Sequence, residues 1–275
     1  MNQHINGNGN RPIGVFDSGV GGLTVVSELF KQLPREQIIY FGDTGRFPYG
    51  IRSAEVIRRF SRQNVNFLLE QNVKFVVVAC NTASAQALDF IKKIYNIPMV
   101  GVIEPGAKAA ANYTKNGRIG VIGSEGTINS SSYTKALLKI DPKFKVHGLA
   151  CPLFIALAEN GYIDKKAAFL IAEEYMQIMK QKKIDTLVLG CTHFPPFKKV
   201  LSEVMGPSVT LIDSAEETAK SVAEMLDSMG LNNTTAKPKV HRFYVSDTPE
   251  KLKNTARYFV DKPIKKVEKI FIDAY

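Results

Sequence analysis

The sequence predicts an α/β protein with two similar domains, each a mainly parallel sheet flanked by helices. Short apolar runs rich in β-branched residues alternate with longer amphipathic segments along all 275 residues. Near-continuous apolar strands separated by helices are typical of parallel sheets that are covered on both faces. In addition, two blocks of the chain share one pattern, in which a glycine-rich turn follows a strand and a later strand ends in cysteine. This repetition is the reason for predicting two domains.

Eight strands are predicted from the apolar runs, at residues 13–16, 38–41, 75–79, 99–103, 119–122, 146–150, 186–189 and 209–212. Between them, amphipathic periodicity predicts helices at residues 53–70, 82–95 and 165–182. After Asp213 we expect a helix at 215–229, a polar linker at 231–239, and then a strand, a helix and a strand. This tail is expected to return to the first domain, because each block alone would form only a small sheet.

The predicted domains are therefore discontinuous in sequence. Residues 11–104 and 214–275 are assigned to the first domain and residues 105–213 to the second, while residues 1–10 are predicted to be a disordered polar tail. Open parallel sheets bind their ligands at the carboxyl ends of the strands. We therefore expect an active site in the cleft between the domains, where the strand ends of both sheets meet.

The composition argues against several classes of protein. No stretch of about eighteen apolar residues could span a membrane, and the N-terminus lacks the apolar segment of a secretory signal, so a cytoplasmic protein is expected. Three cysteines without a CxxC pair or zinc-like spacing predict free thiols. The net charge of +10 does not indicate nucleic acid, because ten Lys or Arg against five Asp or Glu follow Asn233 and the remaining excess is scattered over amphipathic helices.

Two strand-to-helix connections carry polar residues besides the cysteines. In GVFDSGVGG, Asp17 and Ser18 end a strand, and the glycines that follow form a turn whose backbone N–H groups can bind an anion. In GDTGRFPYG, a polar loop after another strand carries four candidates for lining a pocket, namely Asp43, Thr44, Tyr49 and Gly50. Taken alone, the first connection is equally well explained as an ordinary turn with Asp17 as a helix cap, and the second is better explained as a Pro/Gly turn.

The cysteines in VVVACNTA and LVLGCTHF indicate the chemistry. Cys80 and Cys191 each end an apolar strand and precede polar residues. A thiolate and a thiol on opposite sides of a substrate can remove a proton from one face of a carbon and return one to the other face. We expect helix N-termini to lower the pKa of both thiols, with Asp17 tuning Cys80 and His193 tuning Cys191. Cys151 has no polar followers and is predicted to pack in the core.

Six separated motifs resemble those of the glutamate racemases of the aspartate/glutamate racemase superfamily. The motifs are DSGVGGLTV, GDTGRFPYG, ACNTASA, GVIEPG, SEGT and GCTHFP, and the resemblance runs from about Pro12 to about Phe271. It implies two domains with the site between them, and interconversion of L- and D-glutamate without pyridoxal phosphate, metal or other cofactor. It also implies a homodimer that supplies D-glutamate for peptidoglycan.

The resemblance implies a role for each matching residue. Cys80 matches the base that deprotonates D-glutamate, and Cys191 matches the base for L-glutamate. Asp17 and His193 match the groups that assist Cys80 and Cys191, and Glu159 falls where a further assisting glutamate is expected. The matching substrate-binding positions are Asp17, Ser18, Tyr49, Gly50, Asn81, Thr82, Ser124, Thr127 and Thr192.

Two departures from the family pattern and two alternatives remain. Ser124 stands where threonine is frequent and Phe194 where tyrosine is common, and neither change removes a group that the mechanism needs. A racemase of aspartate or another amino acid would share both cysteines, and a substrate panel separates the two activities. The other alternative is a binding protein without catalytic activity, which the basic tail suggests. The resemblance also brings in DNA gyrase as a secondary partner, since some glutamate racemases are reported to act on it.

Overall fold

The computed structural model describes residues 9–235 and 240–275. Within these residues the strands are Ile13–Asp17 (β1), Ile38–Gly42 (β2), Phe75–Val78 (β3), Met99–Gly101 (β4), Arg118–Gly123 (β5), Lys145–Ala150 (β6), Thr186–Gly190 (β7), Thr210–Asp213 (β8), Arg242–Val245 (β9) and Glu268–Lys269 (β10). The helices of the same residues are Leu23–Gln32 (α1), Ala54–Glu70 (α2), Asn81–Gln86 (α3), Leu88–Ile94 (α4), Ile103–Tyr113 (α5), Glu125–Asn129 (α6), Ser132–Ile140 (α7), Pro152–Glu159 (α8), Lys166–Gln181 (α9), Lys198–Met205 (α10), Ser214–Ser228 (α11) and Pro249–Ala256 (α12). Short 3₁₀ helices lie at Tyr49–Ile51, Pro195–Phe197 and Ile272–Ala274.

The strands form two parallel sheets that share one strand order. The first sheet has the order β10-β9-β2-β1-β3-β4 and the second the order β6-β5-β7-β8, and all the paired strands are parallel. The strands β2-β1-β3-β4 and β6-β5-β7-β8 therefore follow the same path, so that β1 corresponds to β5 and β3 to β7. The predicted α/β class with two parallel sheets is confirmed.

The eight strands predicted from the apolar runs correspond to β1 through β8, with ends that differ by at most two residues. The fourth strand is shorter than predicted because the backbone at Val102 is already helical and α5 begins at Ile103. In the tail, β9 pairs with β2 and β10 pairs with β9, so both strands extend the first sheet. The exact domain bounds stay a prediction.

The single helix predicted at residues 82–95 is wrong, because two helices occupy this stretch. Helix α3 ends at Gln86 and α4 begins at Leu88, and Ala87 between them has φ −125° and ψ −20°. The carbonyl oxygen of Gln86 accepts a hydrogen bond from Arg58 Nε of α2 (3.2 Å), which gives it a partner outside the helical ladder. Neither glycine nor proline marks this break, so the local sequence pattern held no sign of it.

The two sheets share one apolar core. Its largest cluster includes residues of β1 and α1 beside the first sheet and residues of β7, α9 and α10 beside the second. Helix α11 packs against both α1 and α5, and its Ala219, Val222 and Leu226 have no exposed surface. This helix thus joins the helical layers that cover the two sheets. No helix in the described part of the chain is long and apolar enough to cross a membrane.

A buried ion pair ties two distant segments to the first sheet. Lys74 Nζ lies 2.5 Å from Glu36 Oε2 and also donates to the carbonyl oxygens of Gly9 and Leu231. Asn233 N donates to Glu36 Oε1 (2.8 Å). Residues 1–8 of the predicted disordered tail and residues 236–239 of the predicted linker lie outside the described residues, whereas Gly9 and Leu231 are held by this pair.

Candidate active site

The carboxyl ends of the central strands of both sheets face one cleft of about 290 Å³. Strands β1 and β3 are neighbours in the first sheet, as β5 and β7 are in the second. At each of these pairs the strand order reverses, which is where open α/β sheets bind ligands. The cleft is lined by eleven of the thirteen predicted site residues, namely Ser18, Tyr49, Gly50, Cys80, Asn81, Thr82, Ser124, Glu159, Cys191, Thr192 and His193. The other two, Asp17 and Thr127, contact residues of this lining from behind.

Cys191 ends a row of four titratable groups that reaches the protein surface. Its Sγ lies 3.9 Å from His193 Nδ1, and His193 Nε2 lies 3.2 Å from Glu159 Oε1. Lys251 Nζ of α12 lies 3.4 Å from Glu159 Oε2. Because an ionised carboxylate can only accept hydrogen bonds, His193 Nε2 donates to Glu159, and His193 Nδ1 faces the thiol of Cys191.

Glu159 is held in its ionised form by its neighbours. Burial alone would raise the pKa of its carboxyl group, but the hydrogen bond with His193 and the charges of His193 and Lys251 outweigh burial and lower that pKa. Sequence reasoning missed Lys251, because it is one of ten Lys or Arg residues in the basic tail. No local motif marks this lysine, and only the packing of the tail against the cleft reveals its contact.

The approach of His193 to the glycine turn after β1 explains one glycine of that turn. A Cβ atom on Gly21 would lie 2.5 Å from His193 Nδ1 and 2.5 Å from Thr192 Oγ1. Any larger residue would therefore push the imidazole and the hydroxyl away from their present positions. The turn serves the second sheet's thiol as well as the first sheet's own strand end.

Cys80 has hydrogen-bond partners that carry no charge. Its Sγ lies 3.6 Å from Ser18 Oγ and accepts a hydrogen bond from Ala83 N (3.5 Å) in the first turn of α3. Burial raises the pKa of Cys80 to about 12, the charge of Asp17 adds to the rise, and the hydrogen bonds of Ala83 and Ser18 oppose it. Burial also raises the pKa of Cys191. The expectation that helix N-termini lower both thiol pKa values is wrong. At Cys80, which caps α3, the loss of hydration outweighs the hydrogen bond from the helix N-terminus. At Cys191 no helix begins directly after the thiol, since α10 starts only at Lys198.

Asp17 contacts its own glycine turn and the residue that follows Cys191. Its Oδ2 accepts a hydrogen bond from Gly19 N (3.0 Å), and its Oδ1 accepts one from Thr192 Oγ1 (3.5 Å). Burial raises the pKa of Asp17, and the charge of His193 and the backbone N–H groups of the glycine turn oppose that rise. No hydrogen bond joins Asp17 to Cys80 in the part of the chain that the structure describes, so the assistance to Cys80 stays a prediction.

Three hydroxyl groups cluster where α3 meets α6. Thr82 Oγ1 lies 2.8 Å from Ser124 Oγ and 3.3 Å from Thr127 Oγ1, and Ser124 Oγ lies 3.0 Å from Thr127 Oγ1. Gly50 covers this cluster closely, since a Cβ atom there would lie 2.9 Å from Ser124 Cβ. Because each hydroxyl can both donate and accept, the cluster can turn its O–H groups toward a carboxylate in the cleft.

The hydroxyl group of Tyr49 is committed to the protein. It donates to Asp43 Oδ2 and accepts a hydrogen bond from Asn64 Nδ2 (3.1 Å). Asp43 also accepts hydrogen bonds from Arg46 Nε (2.8 Å) and Ser246 Oγ (2.8 Å). Asp43, considered for the cleft from its sequence position, supports Tyr49 and does not line the cleft. Tyr49 therefore offers a ligand its ring and backbone.

Only one of the two polar atoms of the Asn81 side-chain amide has a hydrogen-bond partner among the described residues. Its Oδ1 accepts a hydrogen bond from Tyr133 OH (2.8 Å), whereas its Nδ2 is buried and has no hydrogen-bond partner among the described residues. Sequence reasoning missed Tyr133, which is 52 residues away along the chain and lies in the first turn of the amphipathic helix α7. A tyrosine in such a pattern looks like any other core residue.

Cys151 takes no part in the cleft. It has no exposed surface and belongs to the main apolar cluster, and burial raises the pKa of its thiol. The prediction that it is a core residue is confirmed. Within residues 9–235 and 240–275, no group of three or more His, Cys, Asp or Glu side chains is arranged to hold a metal ion.

Most of the chain is similar to characterised proteins. Residues 13–222 match the family model described as Asp/Glu/hydantoin racemase. A glutamate racemase from Geobacter metallireducens is 48% identical over 264 residues, covering 96% of this chain and 98% of that protein. The crystal structure of glutamate racemase isoform RacE1 from Bacillus anthracis is 42% identical with a TM-score of 0.91, over 94% of this chain and 97% of that one. The glutamate racemase of Francisella tularensis, solved in complex with D-glutamate, is 39% identical with a TM-score of 0.90, over 97% of this chain and 100% of that one.

Proposed function

The chain belongs to the Asp/Glu/hydantoin racemase family and is an amino-acid racemase that acts on glutamate, and from this premise we propose that Cys80 and Cys191 invert its α-carbon without a cofactor. One observation carries the proposal. The two thiols occupy equivalent strand ends, after β3 and β7, and both line the same cleft. The substrate is taken from the relatives, one of which was solved in complex with D-glutamate.

In the proposed reaction, one thiolate removes the proton from the α-carbon of glutamate, and the electron pair of the C–H bond stays on the substrate. The thiol on the opposite face then gives its proton to the same carbon and becomes the thiolate. Cys80 is the base for D-glutamate and Cys191 is the base for L-glutamate. The two sulfur atoms exchange protonation states in each turnover, and their total charge does not change.

Both thiols need assistance to ionise, because burial raises the pKa of each. For Cys191 the proton acceptor is His193 Nδ1, with Glu159 stabilising the imidazolium that forms. For Cys80 the N–H of Ala83 donates to the sulfur, and the hydroxyl of Ser18, which accepts a hydrogen bond from the thiol, can turn to donate to the thiolate. The α-ammonium group of the substrate brings a positive charge into the cleft, and a neighbouring cation lowers the pKa of a thiol.

The cleft also supplies donors for the carboxylates of glutamate. The buried Asn81 Nδ2 has no partner among the described residues, and the hydroxyls of Thr82 and Ser124 lie beside it in the lining. The α-proton of an amino acid is only weakly acidic, so donors must already be directed at the carboxylate when charge develops there. Preorganised hydrogen bonds in a cleft with little water are well suited to this task.

The wider role follows from the same proposal. D-Glutamate made by this enzyme is proposed to supply peptidoglycan synthesis in the cytoplasm, and the enzyme is proposed to act as a homodimer. Added D-glutamate should restore growth of host cells depleted of this protein, and light scattering should give twice the mass of the chain. Binding to DNA gyrase stays a prediction, which a pull-down with the purified protein tests.

The assay for the proposed activity uses purified protein that has been dialysed against a chelator. L-Glutamate is added without any cofactor, and circular dichroism follows the optical signal. Decay of the signal to zero from either enantiomer is the expected result. If aspartate is racemised and glutamate is not, the substrate is wrong. If only added pyridoxal phosphate or metal gives turnover, the thiol mechanism is wrong.

A further inference from the structure

We infer that Tyr133 is a positioning residue for the substrate, because it orients the side-chain amide of Asn81 so that Asn81 Nδ2 faces the cleft. The inference rests on the proposed function. Tyr133 belongs to α7, which packs against α5 and β6, whereas Asn81 begins α3 after β3 of the first sheet. A residue beside one sheet therefore sets the orientation of a binding group beside the other.

The hydrogen bond between the two side chains is short and fully enclosed. Tyr133 OH lies 2.8 Å from Asn81 Oδ1, and both side chains are almost entirely buried. Burial raises the pKa of Tyr133, so the phenol keeps its proton and acts as a donor. The amide oxygen of Asn81 accepts this proton, which leaves the amide nitrogen on the cleft side.

The opposite orientation of the amide is less favourable. If Asn81 Nδ2 faced the phenol, the 2.8 Å hydrogen bond to Asn81 Oδ1 would be lost. The Tyr133 proton would then be left to the hydroxyl of Ser214 or to the carbonyl oxygen of Val102, which is 3.5 Å away and at the limit of a hydrogen bond. In addition, Asn81 Oδ1 would then face the cleft and repel the carboxylate of glutamate. Tyr133 therefore selects the orientation in which Asn81 donates to the substrate.

The ring of Tyr133 is held in a slot between two glycines. A Cβ atom on Gly106 of α5 would lie 3.3 Å from Tyr133 Cε1, and one on Gly190 of β7 would lie 3.0 Å from Tyr133 Cε2. Gly190 directly precedes Cys191, and Asn81 directly follows Cys80. Tyr133 thus touches the strand ends that carry both thiols, and its hydroxyl has little freedom to move.

The test compares Tyr133→Phe with a matched variant, Tyr95→Phe. The first change removes only the hydroxyl and leaves the ring in its slot. Tyr95 also donates to an asparagine oxygen, Asn66 Oδ1, on the outer side of α2 and away from the cleft, so Tyr95→Phe removes the same kind of hydrogen bond at a distant place. Both proteins should remain folded, as circular dichroism and thermal unfolding would show.

We expect Tyr133→Phe to raise KM for L- and D-glutamate about five-fold, with kcat changed less than about two-fold, which is the effect of one lost hydrogen bond on binding. The dissociation constant of D-glutamate, measured by calorimetry, should rise by the same factor. Tyr95→Phe should leave KM unchanged. An unchanged KM and dissociation constant in Tyr133→Phe would overturn the inference.

A double-mutant cycle separates positioning from a general structural effect. In an Asn81→Ala background the phenol has no amide to orient, so adding Tyr133→Phe should change KM less than about two-fold. A full five-fold effect in that background would show that Tyr133 acts through something else and would overturn the inference. If the unmodified protein does not racemise glutamate, the proposed function itself fails and the inference fails with it. If it does and Tyr133→Phe binds normally, only the inference fails.

Discussion

Cys80 and Cys191 occupy equivalent places in the two halves of the molecule, yet their surroundings differ. Each follows the third strand, in chain order, of a four-strand repeat. Cys80 Sγ meets the hydroxyl of Ser18 and the backbone N–H of Ala83, whereas Cys191 Sγ meets the imidazole of His193. The repeated topology thus determines where each thiol stands, while the loops and the tail determine which groups surround it.

The ends of the adjacent strands β2 and β6 also differ between the two halves. Asp43 follows β2 and binds Tyr49 in a buried polar network, whereas Cys151, at the corresponding place after β6, packs in the apolar core. Helix α8 begins directly after Cys151 and ends at Glu159, which reaches His193. The second half therefore brings a charged group to its thiol by a route that has no counterpart in the first half.

The largest expected effect comes from removing either thiol. Cys80→Ser and Cys191→Ser should each lower kcat/KM more than about a thousand-fold, because a hydroxyl is a far weaker acid than a thiol and the reaction needs one group on each face. Racemisation measured by circular dichroism checks this. Cys151→Ala is the control and should keep near-normal turnover. Near-normal turnover of either serine variant would break the comparison, since one thiol would then suffice.

The next largest effect is expected from Glu159, the charged group on the Cys191 side, which has no counterpart beside Cys80. Glu159→Gln should lower kcat/KM about a hundred-fold, because the imidazolium of His193 loses the carboxylate that stabilises it. The fall must be equal from both enantiomers, since their equilibrium constant is one. Glu173→Gln, the same change on an exposed face of α9, should have no effect. A loss of less than about three-fold in Glu159→Gln would contradict the assisting role.

Ser18→Ala removes the hydroxyl partner of Cys80 and should lower kcat/KM less than Glu159→Gln does. We expect kcat/KM to fall about five-fold, because a neutral hydrogen bond to sulfur is lost and the N–H of Ala83 remains. Steady-state kinetics from both enantiomers measure the loss. If Ser18→Ala proved as damaging as Glu159→Gln, the two thiols would not differ in the way described above.

The smallest expected effect belongs to Lys251, whose side chain is 64% exposed. Its charge helps to lower the pKa of Glu159, so Lys251→Met should raise that pKa. Glu159 loses its negative charge as the pH falls through its pKa, and His193 then loses its charged partner. The acid limb of the kcat/KM profile should therefore move to higher pH, by about 0.3 unit. Lys253→Met on the same helix is the control and should leave the limb in place. A pH profile of Lys251→Met identical to that of the unmodified protein would show that Lys251 does not affect the ionisation of Glu159.

Much of the fold was accessible from sequence because its signals are local. The apolar runs that become β1 through β8 could be located from their β-branched residues, and the places of Cys80 and Cys191 follow from the strand ends. The break at Ala87 could not be predicted, because it accompanies a contact with Arg58 on another helix. Local patterns describe a strand or a helix well, but not the partner that a backbone carbonyl finds elsewhere.

The site was predicted less completely for the same reason. Tyr133 reaches Asn81 across 52 residues, and Lys251 reaches Glu159 from the tail, so neither could be found from spacing. The direction of the thiol pKa shifts was wrong because burial depends on all the layers that cover a group. The dipole of a helix is visible in a sequence, whereas the loss of water around a side chain is not.

The measurement that tests the two-thiol account most directly is early deuterium incorporation in D₂O. The reaction is started from pure L-glutamate and stopped long before equilibrium. The two enantiomers are then separated, and the deuterium content of each is measured by mass spectrometry. The account predicts deuterium at the α-carbon of the D-glutamate that has formed and ordinary hydrogen in the L-glutamate that remains, with the mirror result from D-glutamate. Equal deuterium in the recovered substrate and the product would mean that one group serves both faces, and it would contradict the separate roles of Cys80 and Cys191.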